Sequence, residues 1–147
     1  MIQITSSAFY QGEVIPKQYT CDGAGINPPL NFSNIPQEAK SLVLIVDDPD
    51  APIGTFTHWL VWNISPQTLE IKENSLPQNA VEGTNTSGRT KYISPCPPSG
   101  QHRYFFKIYA LDIILNLSSN SDRKVLENAM TGHVLDNGEL MGVYQRS

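Results

Sequence analysis

Residues 47–64 read DDPDAPIGTFTHWLVWNI and place three carboxylates, two prolines and a histidine beside two short apolar runs. The runs are Ser41–Val46 (SLVLIV) and Trp59–Ile64 (WLVWNI). Both are rich in strand-forming residues and too short for typical helices. This stretch therefore predicts a hairpin of two buried strands joined by a long loop.

An antiparallel register with Asp48 opposite His58 is the one we expect for this hairpin. The apolar residues that would then pair on the same face are Val46 with Leu60, Leu44 with Trp62, and Leu42 with Ile64. Their apolar face ends in a carboxylate and an imidazole where the chain leaves the sheet. We expect the mouth of a pocket at that point.

The three acids of the loop, Asp47, Asp48 and Asp50, would repel one another by about 1 kcal/mol per close pair in water. Compensation can come from a protonated His58, an arginine from elsewhere in the chain, a metal ion or a cationic ligand. Prolines at positions 49 and 52 stiffen the loop. The alternative is that Asp-Pro and Asp-Ala-Pro only make turns, as these residues often do.

Composition narrows the class of protein. The chain has 147 residues, 16% of them charged, and a net charge of -4, which predicts one domain over residues 1–147. Ten Lys and Arg residues, thinly spread, exclude the basic stripe of a nucleic-acid-binding protein. No leader pattern and no apolar run of membrane-spanning length is present, so we expect a cytoplasmic protein with no transmembrane segment. Cys21 and Cys96 are not expected to form a disulfide framework.

The rest of the chain predicts further short strands and one helix. Ser121–Met130 is the helix, with Ser121 as the N-cap and Gly132 closing it. The predicted strands are Ile2–Thr5, Leu30–Ser33, Thr68–Lys72, Val81–Asn85, His102–Leu111 and Glu139–Gln145. Many strands with Pro and Gly turns indicate a mainly β protein, an antiparallel β-sandwich with peripheral helices.

A second polar stretch, PCPPSGQHRY at residues 95–104, has the same design as the first. A stiff proline loop feeds His102 and Tyr104, two residues apart, onto one face of a strand. If the two loops face each other, these side chains converge with Asp48 and His58 on one cavity. Two imidazoles and a phenol would bind a phosphate or carboxylate oxygen well.

Together these motifs resemble the two signature blocks of the phosphatidylethanolamine-binding protein (PEBP) family. The matching blocks are DPDAP at 48–52 with THWL at 57–60, and GQHRY at 100–104, about fifty residues apart. The PCPPSG-x-HRYFF-x-IYALD layout is similar to the bacterial branch often labelled Raf kinase inhibitor-like. The resemblance implies a Greek-key β-sandwich with one or two short peripheral helices.

The resemblance also implies a small anion pocket that binds phosphate or a phosphoethanolamine-like head group without turnover and without a cofactor. Asp50 and Arg103 would support its loops. Homodimers are frequent in the bacterial branch, and some members of the family regulate a kinase or a protease. The family's pocket and rim positions fall on Asp48, Ala51, Pro52, His58, Cys96, Pro97, Pro98, His102 and Tyr104, with Ser94 on the same rim.

Two other functions stay open at this point. A hydrolase would use Asp48, His58 and a serine such as Ser94 or Ser99, although the chain has no Gly-x-Ser-x-Gly motif. A metal site would use Asp48, His58 and His102. We interpret His133 as structural, and Cys96 as a small residue that fills space rather than a reactive thiol.

Overall fold

Eight β-strands and one α-helix form the chain, as seen in a computed structural model that describes residues 1–146. A single 3₁₀ turn, Lys17–Tyr19, lies between the first two strands. The elements are β1 Gln3–Thr5, β2 Leu30–Ser33, β3 Ser41–Asp48, β4 Phe56–Ile64, β5 Glu70–Ile71, β6 Val81–Glu82, β7 His102–Leu111, α1 Arg123–Met130 and β8 Val134–Tyr144.

The strands form two sheets, and every pairing between strands is antiparallel. The large sheet has the order β6-β4-β3-β7-β8, and the small sheet has the order β1-β2-β5. The predicted mainly β, antiparallel architecture with short peripheral helices is confirmed. The predicted Greek-key connection is not clearly seen in this strand order.

Apolar side chains cover both faces of the large sheet. All eight residues of the central strand β3 are buried. Leu42, Leu44 and Val46 belong to the inner core, which lies between the two sheets. Val43 and Ile45 belong to an outer core, which α1 covers with its own apolar residues. An unbroken apolar run is what a strand buried on both faces requires.

The predicted register of β3 with β4 is correct at one end and wrong at the other. Leu42 pairs with Ile64 as expected, but Asp48 pairs with Phe56 rather than with His58. The register shifts twice along the ladder, and the second shift leaves His58 without a direct partner on β3. Such bulges insert an extra residue into one strand, and simple alternation does not reveal them.

The register shifts also change which side chains share a face. The predicted position of Leu60 and Trp62, on the same face as Leu42 and Leu44, is wrong. Both residues lie in the outer core. Trp59 and Val61 take the inner positions. Phe56 and His58 face the same side as Trp59, because the extra residue interrupts the alternation.

Two boundaries near the end of the chain differ from those predicted. The helix begins at Arg123, and Asp122, not Ser121, is its N-cap, since its side chain accepts a hydrogen bond from the Val125 amide. Strand β8 begins at Val134, five positions earlier than expected, so 136–138 also pairs with β7. Gly138 fits there because the backbone of Ile2 lies where a side chain would project.

A disulfide joins Cys21 to Cys96, with their Cα atoms 5.4 Å apart. The interpretation of Cys96 as a small residue that only fills space, with no disulfide expected between the two cysteines as a framework, is therefore wrong. The same two loops are also joined by a backbone hydrogen bond from the Cys21 amide to the Pro95 carbonyl, at 3.0 Å. The cysteines are 75 residues apart in sequence, so their pairing depends on tertiary contacts that local patterns do not show.

None of the helices in the described part of the chain is long and apolar enough to cross a membrane.

Candidate functional site

A cavity of about 220 Å³ opens where β3 ends and where β4 and β7 begin. Both proline-rich loops contribute to its walls. Its lining residues are Asp48, Ala51, Pro52, Phe56, His58, Ile93, Ser94, Cys96, Pro97, Pro98, His102 and Tyr104. The lining is mostly apolar, so a few polar atoms determine what it can recognise.

All nine residues predicted for the site line this cavity, and their contact with a ligand stays a prediction. Sequence reasoning missed Phe56 and Ile93. Phe56 was detectable, because it lies two positions before His58 and therefore shares its face of a regular strand. Ile93 contributes through its backbone carbonyl, which no side-chain pattern reveals.

Asp48 holds the ring of His102. Its Oδ2 lies 2.7 Å from Nδ1 of His102, and its Oδ1 accepts a hydrogen bond from the Asp50 amide at 2.7 Å. Both side chains are buried. Since a carboxylate only accepts, Nδ1 of His102 carries a proton and Nε2 is the nitrogen left for a ligand. Asp48 therefore positions the imidazole, and both of its oxygens already have partners.

His58 is held by a backbone group instead. Its Nδ1 lies 2.6 Å from the carbonyl oxygen of Ile93, which can only accept, so Nδ1 is the protonated nitrogen. Burial lowers the pKa of His58, against the opposing effect of this hydrogen bond and of the nearby acids. The ring is therefore neutral at pH 7, with a lone pair on Nε2.

Among the polar atoms of the cavity that have no hydrogen-bond partner within residues 1–146 are Nε2 of His58, Nε2 of His102 and the hydroxyl of Tyr104. None of the three is sealed from the cavity space. Burial raises the pKa of Tyr104, so its hydroxyl stays protonated and can donate. The rings lie close together, with the Tyr104 centroid 5.4 Å from that of His58 and 6.4 Å from that of His102.

The walls of the cavity are fixed by contacts distant in sequence. Asp50 binds Arg103 in a bidentate ion pair, with atoms 2.9 and 3.0 Å apart, and also accepts from the Arg103 amide. This pair joins the two residues that were expected to support the loops, and it lowers the pKa of Asp50 to about 2. On the opposite wall, the disulfide of Cys96 fixes the proline loop.

The third acid of the loop, Asp47, points to the outer face of the sheet. Its Oδ2 lies 3.0 Å from Nζ of Lys107 and 2.7 Å from an Nη atom of Arg123. Each of the three neighbouring acids thus has a basic partner of its own within the chain. The repulsion among the three acids is therefore offset by basic side chains of the protein itself.

Comparison with known proteins shows the family of the chain. The family model described as phosphatidylethanolamine-binding protein matches residues 5–145. The chain belongs to this family. A UPF0098 protein of Pyrococcus horikoshii is 52% identical, with 96% of this chain and 75% of that protein covered. A UPF0098 protein of Methanothermobacter thermautotrophicus is 47% identical, with 99% of each chain covered.

Solved structures of the PEBP family extend the agreement to the fold. A putative PEBP homologue from Chlamydia trachomatis matches with a TM-score of 0.96 at 47% identity, covering 99% of this chain and 98% of that one. YbcL of Escherichia coli, described as a new member of the mammalian PEBP family, matches with a TM-score of 0.92 at 29% identity, covering 99% of both chains.

The geometry of this PEBP-family cavity also bears on the two alternative chemistries. Ser94 lines the cavity, but none of the hydrogen bonds found among residues 1–146 joins it to an imidazole, and Ser99 is not a lining residue. In the same residues no group of three or more His, Cys, Asp or Glu could hold a metal ion. His133 lies outside the cavity, 2.8 Å from Asp112, in agreement with a structural role.

Proposed function

We propose that the protein binds a small anionic or phosphorylated ligand, such as phosphate or a phosphoethanolamine-like head group, without chemically changing it. Its membership of the PEBP family supports a ligand-binding role. The observation that carries the proposal is the convergence of His58, His102 and Tyr104, whose remaining polar atoms have no partner in the described chain and open into one small cavity.

Preorganisation supports binding at this site. A hydrogen bond from Nδ1 fixes the tautomer of each imidazole. The acceptor is a carboxylate for His102 and a backbone carbonyl for His58. An anion that enters can accept from the Tyr104 hydroxyl and from His102 once its Nε2 is protonated, and the Asp48 carboxylate then faces the charged ring. Because the protein already holds these groups in place, a ligand need not order them.

We favour a binding protein over a hydrolase. A hydrolase would need a nucleophile within hydrogen-bond reach of a base. Nε2 of each cavity histidine is free to act as a base, but none of the hydrogen bonds found among residues 1–146 joins it to a serine hydroxyl, that of Ser94 included. These groups are arranged to present fixed donors and acceptors.

Regulation of a kinase or a protease, homodimerisation and a cytoplasmic location stay predictions that rest on family resemblance and composition. The disulfide bears on location, because disulfides are rare in most cytosolic proteins. A gel-shift assay with a thiol-specific reagent on protein taken directly from cells would show whether this bond is formed there.

An NMR titration tests the proposed function, because the chain has three histidines. We expect saturable shifts of the His58 and His102 ring signals with inorganic phosphate and with phosphoethanolamine, while His133 stays unchanged as an internal control. The variants His58→Ala and His102→Ala should each weaken binding at least tenfold, and His133→Ala should not. Absence of shifts at millimolar ligand, or equal affinities in all variants, would contradict the proposal.

A further inference from the structure

The cavity presents a hydrogen-bond acceptor where an anion site would be expected to present only donors. Because Nδ1 of His58 donates to the Ile93 carbonyl at 2.6 Å, Nε2 of the neutral ring carries a lone pair. This nitrogen has no partner within residues 1–146 and is not sealed from the cavity. A ligand oxygen without a proton would be repelled by this nitrogen, because both atoms would present a lone pair.

The orientation of the His58 ring is well determined by its surroundings. The rings of Phe56 and Tyr104 pack against it, with centroids 4.8 and 5.4 Å away. Rotating the imidazole by 180° would replace Nδ1 with a carbon atom beside the Ile93 carbonyl and remove that hydrogen bond. The fixed tautomer is thus the one that leaves the acceptor open.

The charges around His58 come from two neighbouring strands. Asp47 and Asp48 of β3 favour a proton on the ring, whereas His102 of β7 disfavours it. Tyr104 of β7 also faces the ring but stays uncharged. Burial has the largest effect and keeps the pKa of His58 below its ordinary value. The neutral acceptor form is therefore the one present near pH 7.

We propose that Nε2 of His58 accepts a hydrogen bond from the P–OH group of a singly protonated phosphate monoester, and that this contact selects phosphate monoesters over sulfate monoesters. The inference rests on the proposed function and adds the chemical class of its ligand. Tyr104 and His102 donate to the unprotonated oxygens of the same group. A phosphate monoester has its second pKa near 6, so about half of its molecules carry this proton at pH 6 and about a tenth carry it at pH 7. A sulfate monoester has no such proton.

Recognition of this kind can be strongly selective. A site built to hydrogen-bond a hydroxyl disfavours an analogue that lacks it, because a buried polar group is then left unpaired. The cavity of this protein is partly open to solvent, so we expect a preference of about tenfold to hundredfold rather than the largest values known for closed sites.

The test compares methyl phosphate with methyl sulfate by calorimetry and NMR at pH 6.5, where the lowered pKa of His58 leaves its ring mainly neutral. At this pH about a quarter of methyl phosphate is the monoanion that carries the P–OH proton. The affinities are compared for the two monoanions, which have the same charge and similar shape. Any change in the charge of His102 affects both equally. We expect methyl phosphate to bind at least tenfold more tightly. Equal affinities, or tighter binding of methyl sulfate, with saturable shifts at His102 would overturn this inference and leave the proposed function standing. Absence of binding by either ligand would overturn both.

A variant isolates the acceptor. In His58→Phe, the ratio of the two affinities should fall to about one, whereas in the matched control His133→Phe it should keep the wild-type value. A wild-type ratio retained in His58→Phe would overturn the inference.

The wild-type protein offers a second readout should His58→Phe fail to fold. Long-range ¹⁵N–¹H correlations should show a proton on Nδ1 of His58 and none on Nε2, both before and after methyl phosphate is added. A doubly protonated His58 ring in the complex would overturn the inference.

Discussion

Asp47 and Asp48 are neighbours on β3, are almost equally buried at 1% and 3% exposure, and face opposite sides of the large sheet. On the outer side, Asp47 contacts two cationic side chains, Lys107 and Arg123. On the inner side, Asp48 contacts one imidazole and one backbone amide. The outer cluster neutralises its own charge, whereas the inner cluster leaves ring nitrogens open to a cavity. Burial alone does not tell a structural acid from one that supports a candidate site; the partners do.

The outer cluster also contains a polar atom without a hydrogen-bond partner. Lys107 and Arg123 both bind Oδ2 of Asp47, and Oδ1 is buried without a hydrogen-bond partner in the described chain. Arg123 has a further contact with the Thr57 hydroxyl at 3.1 Å and with Glu127 at 3.4 Å. The cluster links β3, β4, β7 and α1, which indicates a role in holding the helix on the sheet.

Removal of the disulfide should have the largest effect and should act on the inner side alone. Replacing both Cys21 and Cys96 with Ser should lower the free energy of unfolding by about 3–4 kcal/mol, because the bond closes a long loop in the unfolded chain. Denaturant titration measures this loss. Hydrogen exchange through local opening should become faster in 93–100 and stay unchanged in α1, where only amides that exchange through global unfolding should accelerate. Equal acceleration in both regions would contradict the separation of the two sides.

Asp47→Ala should lower the free energy of unfolding by about 3 kcal/mol, since it leaves Lys107 and Arg123 without their shared carboxylate. Denaturant titration checks the stability, and an isotherm with inorganic phosphate checks the cavity. The affinity should stay within twofold of wild type. Glu70→Ala, which changes an exposed acid on the small sheet, should alter neither quantity. A tenfold loss of affinity in Asp47→Ala would show that the two sides are coupled.

Asp48→Asn should show the opposite pattern. The amide keeps the shape of the side chain but has only one acceptor oxygen, so it cannot accept from both His102 and the Asp50 amide. We expect phosphate affinity to fall about tenfold, while the free energy of unfolding changes by about 1 kcal/mol. Calorimetry and denaturant titration give the two numbers. An unchanged affinity would mean that Asp48 does not prepare His102 for the ligand.

The pH dependence of stability should give the smallest effect. Because burial lowers the pKa of His58, the unfolded chain binds a proton more readily than the folded chain. Stability is therefore fully present above about pH 6.5, the ordinary histidine value, and falls as the pH decreases toward the lowered pKa. The contribution is at most about 1.4 kcal/mol per pH unit. The free energies of unfolding measured at pH 7 and pH 5 should differ less in His58→Phe than in wild type. Equal differences in the two proteins would contradict a lowered pKa of His58.

Much of the fold was predictable because buried strands are distinctive in sequence. The bounds of β2 and β7 were predicted as the structure has them, and β3 and β4 were predicted short by two and three residues. The end residues Asp48 and Phe56 fall outside the continuous apolar runs, although both are paired in the ladder. Apolar patterns predict the middle of a strand better than its ends.

The candidate site was predictable as a set of residues but not as a geometry. The two proline-rich motifs identified His58, His102 and Tyr104, and the structure brings them together. The register shift at His58, the bond between Cys21 and Cys96, and the Ile93 carbonyl were not predictable, because each depends on contacts between distant parts of the chain.

The register shift beside His58 also makes the cavity depend on the number of residues in β4. Removing one residue there would remove this shift from the ladder, yet it would take away the extra position that lets His58 and Trp59 face the same side. An engineer who idealised this strand would obtain a more regular sheet without the acceptor. The irregularity is therefore a constraint on chain length that any redesign of this scaffold has to keep.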